Sequence, residues 1–157
     1  KEYRRQRQMC IRDSSKSISL LDLLPVLKNS QLRFVDLQYG DTTEELQSLQ
    51  QDHGVEIARC PSVDNFSDLD GHAALVHACD MVLTVSNTTA HIAGALGKTT
   101  MLMLSKGESR LWYWANRQVD HSVWYPAIEI FEQARRGEWG DVVSDIGASI
   151  LEKYRVQ

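Results

Sequence analysis

The sequence is poor in the features that mark crosslinked, metal-bound or membrane-spanning proteins. It has three cysteines among 157 residues, and Cys10, Cys60 and Cys79 form no Cys-x-x-Cys pair. This spacing argues against a disulfide framework or a zinc site. No run of 18 apolar residues occurs, so no transmembrane span is expected, and no apolar signal-peptide core is visible. These absences favour a globular domain in the cytoplasm.

Charge is distributed unevenly along the chain. Residues 1–16 carry six basic and two acidic side chains, whereas residues 17–157 carry eleven basic and nineteen acidic ones. The acidic body is poorly suited to a nucleic-acid backbone, so no nucleic-acid partner is expected. Residues 1–16 are interpreted as a basic, disordered head, although an arm that binds RNA or a membrane surface fits the same composition.

Apolar runs alternate with helical patterns along residues 17–157, which we interpret as one domain. Strands are predicted over 33–37, 55–58, 81–85, 99–104 and 128–131. Helices are predicted over 20–27, 42–52 and 68–79, from the polar cluster after residue 85 to Gly97, and from Asp141 onward. Pro25 is expected to bend the first helix, and the helix over 68–79 is expected to bury Leu69, Ala73 and Val76. The alternation predicts an α/β fold with a parallel sheet covered on both faces.

The most informative segment follows the predicted strand over 81–85. There Asn87, Thr88 and Thr89 precede a helix, and His91 lies one turn further on. The carboxyl end of a parallel strand is where α/β sheets bind ligands, and the start of a helix favours anions. The segment therefore predicts a phosphate or diphosphate site. Helix capping by the polar residues, with His91 as a satisfied buried histidine, explains the same pattern.

A longer set of residues resembles the C-terminal domain of bacterial GT-B glycosyltransferases. The similarity is clearest over residues 80–141 and extends more weakly to about Ser17. It is closest to the heptosyltransferase group and to the glycosyltransferase-like domains that follow tetratricopeptide repeats. The residues that carry it are 80–97, Leu111-Trp112-Tyr113-Trp114, Trp124-Tyr125-Pro126, Ile130-Phe131-Glu132-Gln133 and Gly137-Glu138-Trp139. The resemblance implies a Rossmann-like parallel sheet with helices on both faces.

The resemblance also implies a ligand and a set of binding residues. The ligand is a nucleotide-diphosphate sugar, bound without a metal or another cofactor. The residues that would bind its phosphates are Ser86, Asn87, Thr88, Thr89 and His91. Lys106, Arg110 and Asp64 are further candidate donor contacts, with solvated loops as the alternative interpretation.

The activity implied by the resemblance is transfer of a sugar to a protein or to an envelope glycan. The acceptor would bind through an N-terminal region that is missing from this sequence, and no catalytic base is assigned. Ser86 occupies the position where heptosyltransferases usually have aspartate. The resemblance therefore does not identify heptose as the donor sugar. A non-catalytic interaction module with a degenerate transferase fold is the alternative.

The start of the sequence departs from the resembling family. The family's domain opens with an apolar strand and a glycine-containing loop, which would lie just before Ser17. This chain has Gln8-Met9-Cys10-Ile11-Arg12-Asp13-Ser14 there. The resemblance therefore implies that the first strand is missing and that residues 1–14 are not native to the domain. In the strand order 3-2-1-4-5-6 that strand would be central.

Overall fold

The computed structural model describes residues 17–29, 31–107, 111–114 and 121–154. Strands and helices alternate through these residues, as the sequence predicts. The strands are β1 (Phe34–Val35), β2 (Ile57–Ala58), β3 (Met81–Val85), β4 (Thr99–Leu104) and β5 (Ile128–Glu132). The helices are α1 (Leu24–Leu27), α2 (Thr43–His53), α3 (Leu69–Ala78), α4 (Thr88–Ala95) and α5 (Gly140–Tyr154), with a short 3-10 helix at Trp112–Trp114. The predictions for residues 1–16 lie outside the described residues.

The described strands form two parallel sheets. β1 pairs with β2, and β3, β4 and β5 pair in that order, with β4 in the centre. All the pairings within the two sheets are parallel, which confirms the predicted α/β class. The carboxyl ends of neighbouring strands therefore lie at the same edge of each sheet.

β4 shows how the core is built. Met101 and Met103 pack with α5 on one face, in a cluster that also contains residues of α1 and α2. Leu102 and Leu104 point to the other face and pack with α4 and Trp114. All four side chains are buried. Because successive strand residues face opposite sides, this apolar run requires helices on both faces of the three-stranded sheet, which is what the structure has.

Several element boundaries follow directly from local chemistry. The predicted strands over 81–85 and 99–104 are confirmed residue for residue. α2 ends at Gly54, whose φ of 67° lies in the left-handed region that favours glycine. Gly97, with φ of 65°, follows α4 in the same way. Asn87 caps α4, as a strand-to-helix junction of this composition predicts.

Some local predictions are wrong. The strands predicted over 33–37 and 55–58 are each only two residues long. The helix predicted over 20–27 begins at Leu24, so Pro25 lies in its first turn and does not bend it. Proline fits a first turn because the N–H that it lacks would have no helical partner there. Leu69 is 58% exposed because it is the first residue of α3 and faces solvent. His72 takes the buried position instead, four residues before buried Val76.

Candidate functional site

The loop between β3 and α4 lies at the carboxyl edge of the three-stranded sheet. Asn87 has an extended backbone, and its Oδ1 accepts hydrogen bonds from the N–H of Ala90 at 3.2 Å and from the hydroxyl of Thr84 at 3.1 Å. The Asn87 side chain therefore fixes the start of α4 to the end of β3. The Thr88 side chain is exposed, and no acidic residue lies in the first turn of α4. First-turn N–H groups have no partner within a helix, so this end of α4 presents positive partial charge.

A hydrogen-bonded chain runs from the loop after β1 to the start of α4. Asn65 Nδ2 donates to the carbonyl of Gln38 at 2.9 Å, which leaves its Oδ1 facing His72 Nδ1, also at 2.9 Å. His72 Nε2 lies 3.1 Å from the hydroxyl of Thr89. We call Asn65, His72 and Thr89 the Asn–His–Thr chain. It joins the loop before α3, α3 itself and the start of α4 at the carboxyl edge of the fold.

The Asn–His–Thr chain fixes the proton positions. An amide oxygen only accepts, so His72 Nδ1 carries the proton and donates to Asn65. Nε2 of the neutral ring is then unprotonated and accepts from the Thr89 hydroxyl. Thr89 is buried, and its one hydroxyl proton is committed to His72. Of the two threonines predicted to bind phosphate, the structure therefore leaves Thr88 with an exposed hydroxyl.

The sequence interpretation missed His72. The residue is 3% exposed, and its burial lowers the pKa of the imidazole below its usual value, because a charged ring is costly to bury. The signal in the sequence was a histidine four residues before Val76 on an otherwise apolar helix face. A polar residue at such a position must have hydrogen-bond partners inside the fold.

The lowered pKa of His72 predicts a dependence of stability on pH. The pKa of His72 is about 6.5 in the unfolded chain and lower in the folded chain. At a pH between these two values, the unfolded chain binds more protons than the folded chain. The contribution of neutral His72 is thus complete above about pH 6.5 and is lost as the pH falls through that window. We expect the free energy of unfolding, measured by urea denaturation, to fall with a slope of at most about 1.4 kcal/mol per pH unit from this group.

The matched control for this measurement is His72→Gln, because glutamine is neutral at every pH. The slope of the variant between pH 7 and pH 5 should be smaller than that of the parent chain, whatever its absolute stability. The carboxylates of Asp41 and Asp64 do not interfere with this comparison of slopes. Hydrogen bonds to Asp41 from Thr43 and to Asp64 from Ser67 lower the pKa of each carboxyl, so both titrate in a more acidic range. Identical slopes for the two proteins would contradict the prediction.

His91 lies in an aromatic cluster beside the start of α4. Its Nδ1 is 3.3 Å from the hydroxyl of Tyr125, and its Nε2 is 3.3 Å from the hydroxyl of Tyr113. The imidazole stacks on Trp114 with a centroid distance of 5.2 Å. Trp114 Nε1 in turn donates to the hydroxyl of Ser86 at 3.0 Å. Ser86 and His91 are therefore both engaged with this cluster, which ties the 3-10 helix to the loop after β3.

Four aromatic residues, in the 3-10 helix and in the segment before β5, divide into two groups. Trp114 and Tyr125 pack against apolar residues of β4 and β5, in agreement with a role in anchoring the loops. Trp112 and Trp124 are exposed. Trp114 is buried and Tyr125 is partly buried against the same cluster, so both belong to the core, whereas Trp112 and Trp124 face solvent.

The remaining candidate donor contacts are dispersed. Lys106 follows β4, and its Nζ donates to the carbonyl of Ala134 at 2.6 Å, so it links the loops after β4 and β5. Asp64 follows β2, and its carboxylate accepts from the N–H of Phe66 at 2.9 Å and from the hydroxyl of Ser67. Both side chains have local structural roles. Arg110 lies outside the described residues.

A cavity of about 710 Å³ lies at the opposite edge of the fold. The amino ends of β1 and β2 line it together with the last residues of α2, and Lys28, Arg33 and His53 contribute polar side chains. The α/β sheets that bind ligands do so at the carboxyl ends of their strands, which lie at the other edge. We therefore place the candidate site at the carboxyl edge, around the start of α4.

Metal-binding and cysteine chemistry are limited in the described parts of the chain. No group of three or more His, Cys, Asp or Glu side chains there is arranged to hold a metal ion. Cys60 and Cys79 are free thiols, and burial raises the pKa of Cys79. Cys10 lies outside the described residues.

Across 17–29, 31–107, 111–114 and 121–154, every helix is too short or too polar to cross a membrane.

The chain is similar to Protein FlbA of Caulobacter vibrioides, with 35% identity over 128 residues. The aligned region covers 82% of this chain and 21% of FlbA. The chain therefore spans about a fifth of the length of that relative. No family model matches the chain, and no solved structure matches it.

Proposed function

We propose that this chain is the donor-binding domain of a glycosyltransferase and holds the diphosphate of a nucleotide-sugar at the start of α4. The observation that carries the proposal is the first turn of that helix. It lies at the carboxyl end of β3, contains no acidic residue and exposes Thr88. Helix starts in this position bind phosphate groups through N–H donors and the helix dipole.

The sheet topology is consistent with a Rossmann-like half of a GT-B enzyme. Removing the first strand from the order 3-2-1-4-5-6 leaves a pair of strands and a group of three. The observed sheets are β2 with β1 and, separately, β3, β4 and β5. Phe34 of β1 and Met81 of β3 pack against the same apolar cluster, so the two sheets share one core.

The chemistry of glycosyl transfer gives this site its role. As the bond between sugar and diphosphate breaks, negative charge develops on the leaving group. Fixed donors that already point at the phosphates stabilise that charge without reorganising. The N–H of Ala90 already donates to Asn87, so the N–H groups of Thr88 and Thr89 and the hydroxyl of Thr88 would supply those donors, without a metal. A protein or envelope glycan acceptor would bind to another region of the protein.

Thr88→Asp is the test that separates ligand binding from folding. A carboxylate in the first turn of a helix is favourable for the helix itself, by about 0.3–1 kcal/mol, because it complements the dipole. The same charge repels a diphosphate. We expect calorimetric titration without metal to show saturable binding of UDP, ADP or GDP by the parent chain. The variant should bind the same nucleotide at least about tenfold more weakly.

Gln51→Glu is the matched control for this charge change. Gln51 is exposed near the end of α2, at the opposite edge of the fold, so the variant has the same net charge as Thr88→Asp. Its nucleotide affinity should equal that of the parent chain. If the folded parent chain binds none of the three nucleotides, or if Thr88→Asp binds as tightly as the parent, the proposed site is wrong.

A non-catalytic interaction module is the second candidate function. It is favoured by the engagement of four of the five predicted phosphate-binding side chains with other protein groups. These are Ser86, Asn87, Thr89 and His91. A degenerate transferase fold would keep such contacts for stability after ligand binding had been lost. Absence of nucleotide binding by a folded chain would support this alternative.

A further inference from the structure

Two aromatic rings are exposed next to one another at the carboxyl edge of the first sheet. Tyr39 lies in the segment after β1 and is 60% exposed, and Phe66 lies in the segment after β2 and is 74% exposed. Their ring centroids are 6.0 Å apart, with planes tilted by 48°. We call these two residues the aromatic pair. Large apolar side chains that remain exposed together are a common feature of binding sites.

The backbone beside each ring is held by hydrogen bonds. The N–H of Gln38 donates to Asp36 Oδ1 at 2.9 Å, and the hydroxyl of Thr42 donates to the other oxygen of the same carboxylate at 2.6 Å. The N–H of Phe66 donates to Asp64 Oδ1 at 2.9 Å. The aromatic pair is therefore presented to solvent by two braced loops.

The Asn–His–Thr chain connects the aromatic pair to the start of α4. Asn65 immediately precedes Phe66, and its Nδ2 donates to the carbonyl next to Tyr39. Its Oδ1 accepts from His72, whose other nitrogen accepts from Thr89 in the first turn of α4. One amide and one imidazole thus separate the two aromatic loops from the proposed phosphate site. Both surfaces lie at the carboxyl edge of the fold.

We propose that the aromatic pair is the stacking platform for the base of a nucleoside diphosphate whose phosphates bind at the start of α4. The proposal rests on the proposed function and specifies which part of the donor each surface holds. Every nucleobase has an aromatic face, and stacking on aromatic side chains is a general means of holding it. The aromatic pair supplies that apolar surface, and α4 supplies the donors for the charged end.

Charge sets the direction in which the nucleotide would lie. The carboxylates of Asp41 and Asp64 lie close in sequence to the two rings, two residues from Tyr39 and from Phe66 respectively. Hydrogen bonds lower the pKa of both carboxyls, so both are ionised at neutral pH. They tolerate an uncharged base, and Arg59, which interacts with Asp36 and Asp41, offsets part of their charge. The first turn of α4 contains no acidic residue, so the phosphates are favoured at that end.

The test compares nucleotides with inorganic diphosphate on the full 157-residue chain. Calorimetric titration would be carried out with ADP, UDP, GDP and inorganic diphosphate on the parent chain and on Tyr39→Ala/Phe66→Ala. Loss of stacking should weaken binding of the preferred nucleotide by about 5- to 150-fold, since alanine substitution at such sites costs about 1–3 kcal/mol per base. Inorganic diphosphate has no base, so its affinity should be unchanged.

The matched control keeps two rings in place. Tyr39→Phe/Phe66→Tyr retains the aromatic faces and should bind the nucleotide as the parent chain does. If the alanine variant binds nucleotide as tightly as the parent, the stacking role is wrong while the phosphate site stands. If the parent binds diphosphate and nucleotides equally, the base contributes nothing and the inference is also overturned. If neither ligand binds, the proposed function fails and this inference fails with it.

Discussion

Replacing Trp114 with alanine is expected to lower the free energy of unfolding by about 3–5 kcal/mol. The indole is 1% exposed and packs with Ala90, Leu102 and Ile128 of three different elements. Its removal creates a cavity between α4 and the sheet. It also removes the donor that binds the hydroxyl of Ser86. A loss of this size is a large fraction of the stability of a typical domain, which is about 5–15 kcal/mol.

Urea denaturation monitored by circular dichroism measures this loss, with two variants as controls. Trp112→Ala removes the same side chain from a neighbouring position that is 75% exposed, and it should change the stability by less than about 0.5 kcal/mol. Trp114→Phe keeps an aromatic ring in the core but removes the donor to Ser86, so its cost should fall between those of the two alanine variants. If Trp114→Ala cost no more than Trp112→Ala, the aromatic cluster would not be part of the core.

Gly94→Ala is expected to destabilise the chain by about 1–3 kcal/mol, even though alanine is the better helix former. A Cβ atom at this position would lie 2.5 Å from Cγ of Tyr125 and 2.9 Å from Cδ1 of Ile128. Tyr125 cannot easily withdraw, because its hydroxyl lies beside His91 and its ring packs in the same cluster. The glycine therefore allows α4 to approach the loop that precedes β5.

Gly147→Ala is a control variant that should change the stability in the opposite direction. Gly147 lies within α5, and a Cβ atom there would have no neighbour within 4 Å. The variant should be more stable than the parent chain by about 0.5–1 kcal/mol, because alanine loses less backbone entropy in a helix. Thermal unfolding of the two variants should shift the midpoint in opposite directions. A neutral or stabilising Gly94→Ala would show that α4 does not pack closely against Tyr125.

Much of the secondary structure could be predicted from sequence because the relevant signals are local. The strands 81–85 and 99–104 are mostly apolar runs, and Gly54 ends α2 at a position where its backbone needs a left-handed conformation. The burial of α3 was predicted less well. Apolar character suggested Leu69, whereas the helix register buries His72 and pairs it with Thr89 of another element.

The sequence predicts where the candidate site lies along the chain, but it does not predict which of its side chains other protein groups engage. The sequence indicates that polar residues follow β3, and the structure places them at the start of α4 as expected. It does not indicate which hydroxyls are already engaged, because their partners are distant in sequence. Ser86 accepts from Trp114, 28 residues away, and Thr89 donates to His72, 17 residues away. Only the packed fold leaves Thr88 as the exposed member of the group.

The division of the strands into two sheets affects how a bound nucleotide would act on the domain. β1 and β2 share a ladder of two residues each, whereas β4 has partners on both sides and is almost completely buried. Short ladders open locally at low free-energy cost, and buried central strands open only with global unfolding. A nucleotide that bridged the aromatic pair and α4 would join a region of low local stability to one of high local stability. Binding would then keep the first sheet closed, and the free energy needed to suppress its local opening would limit the affinity.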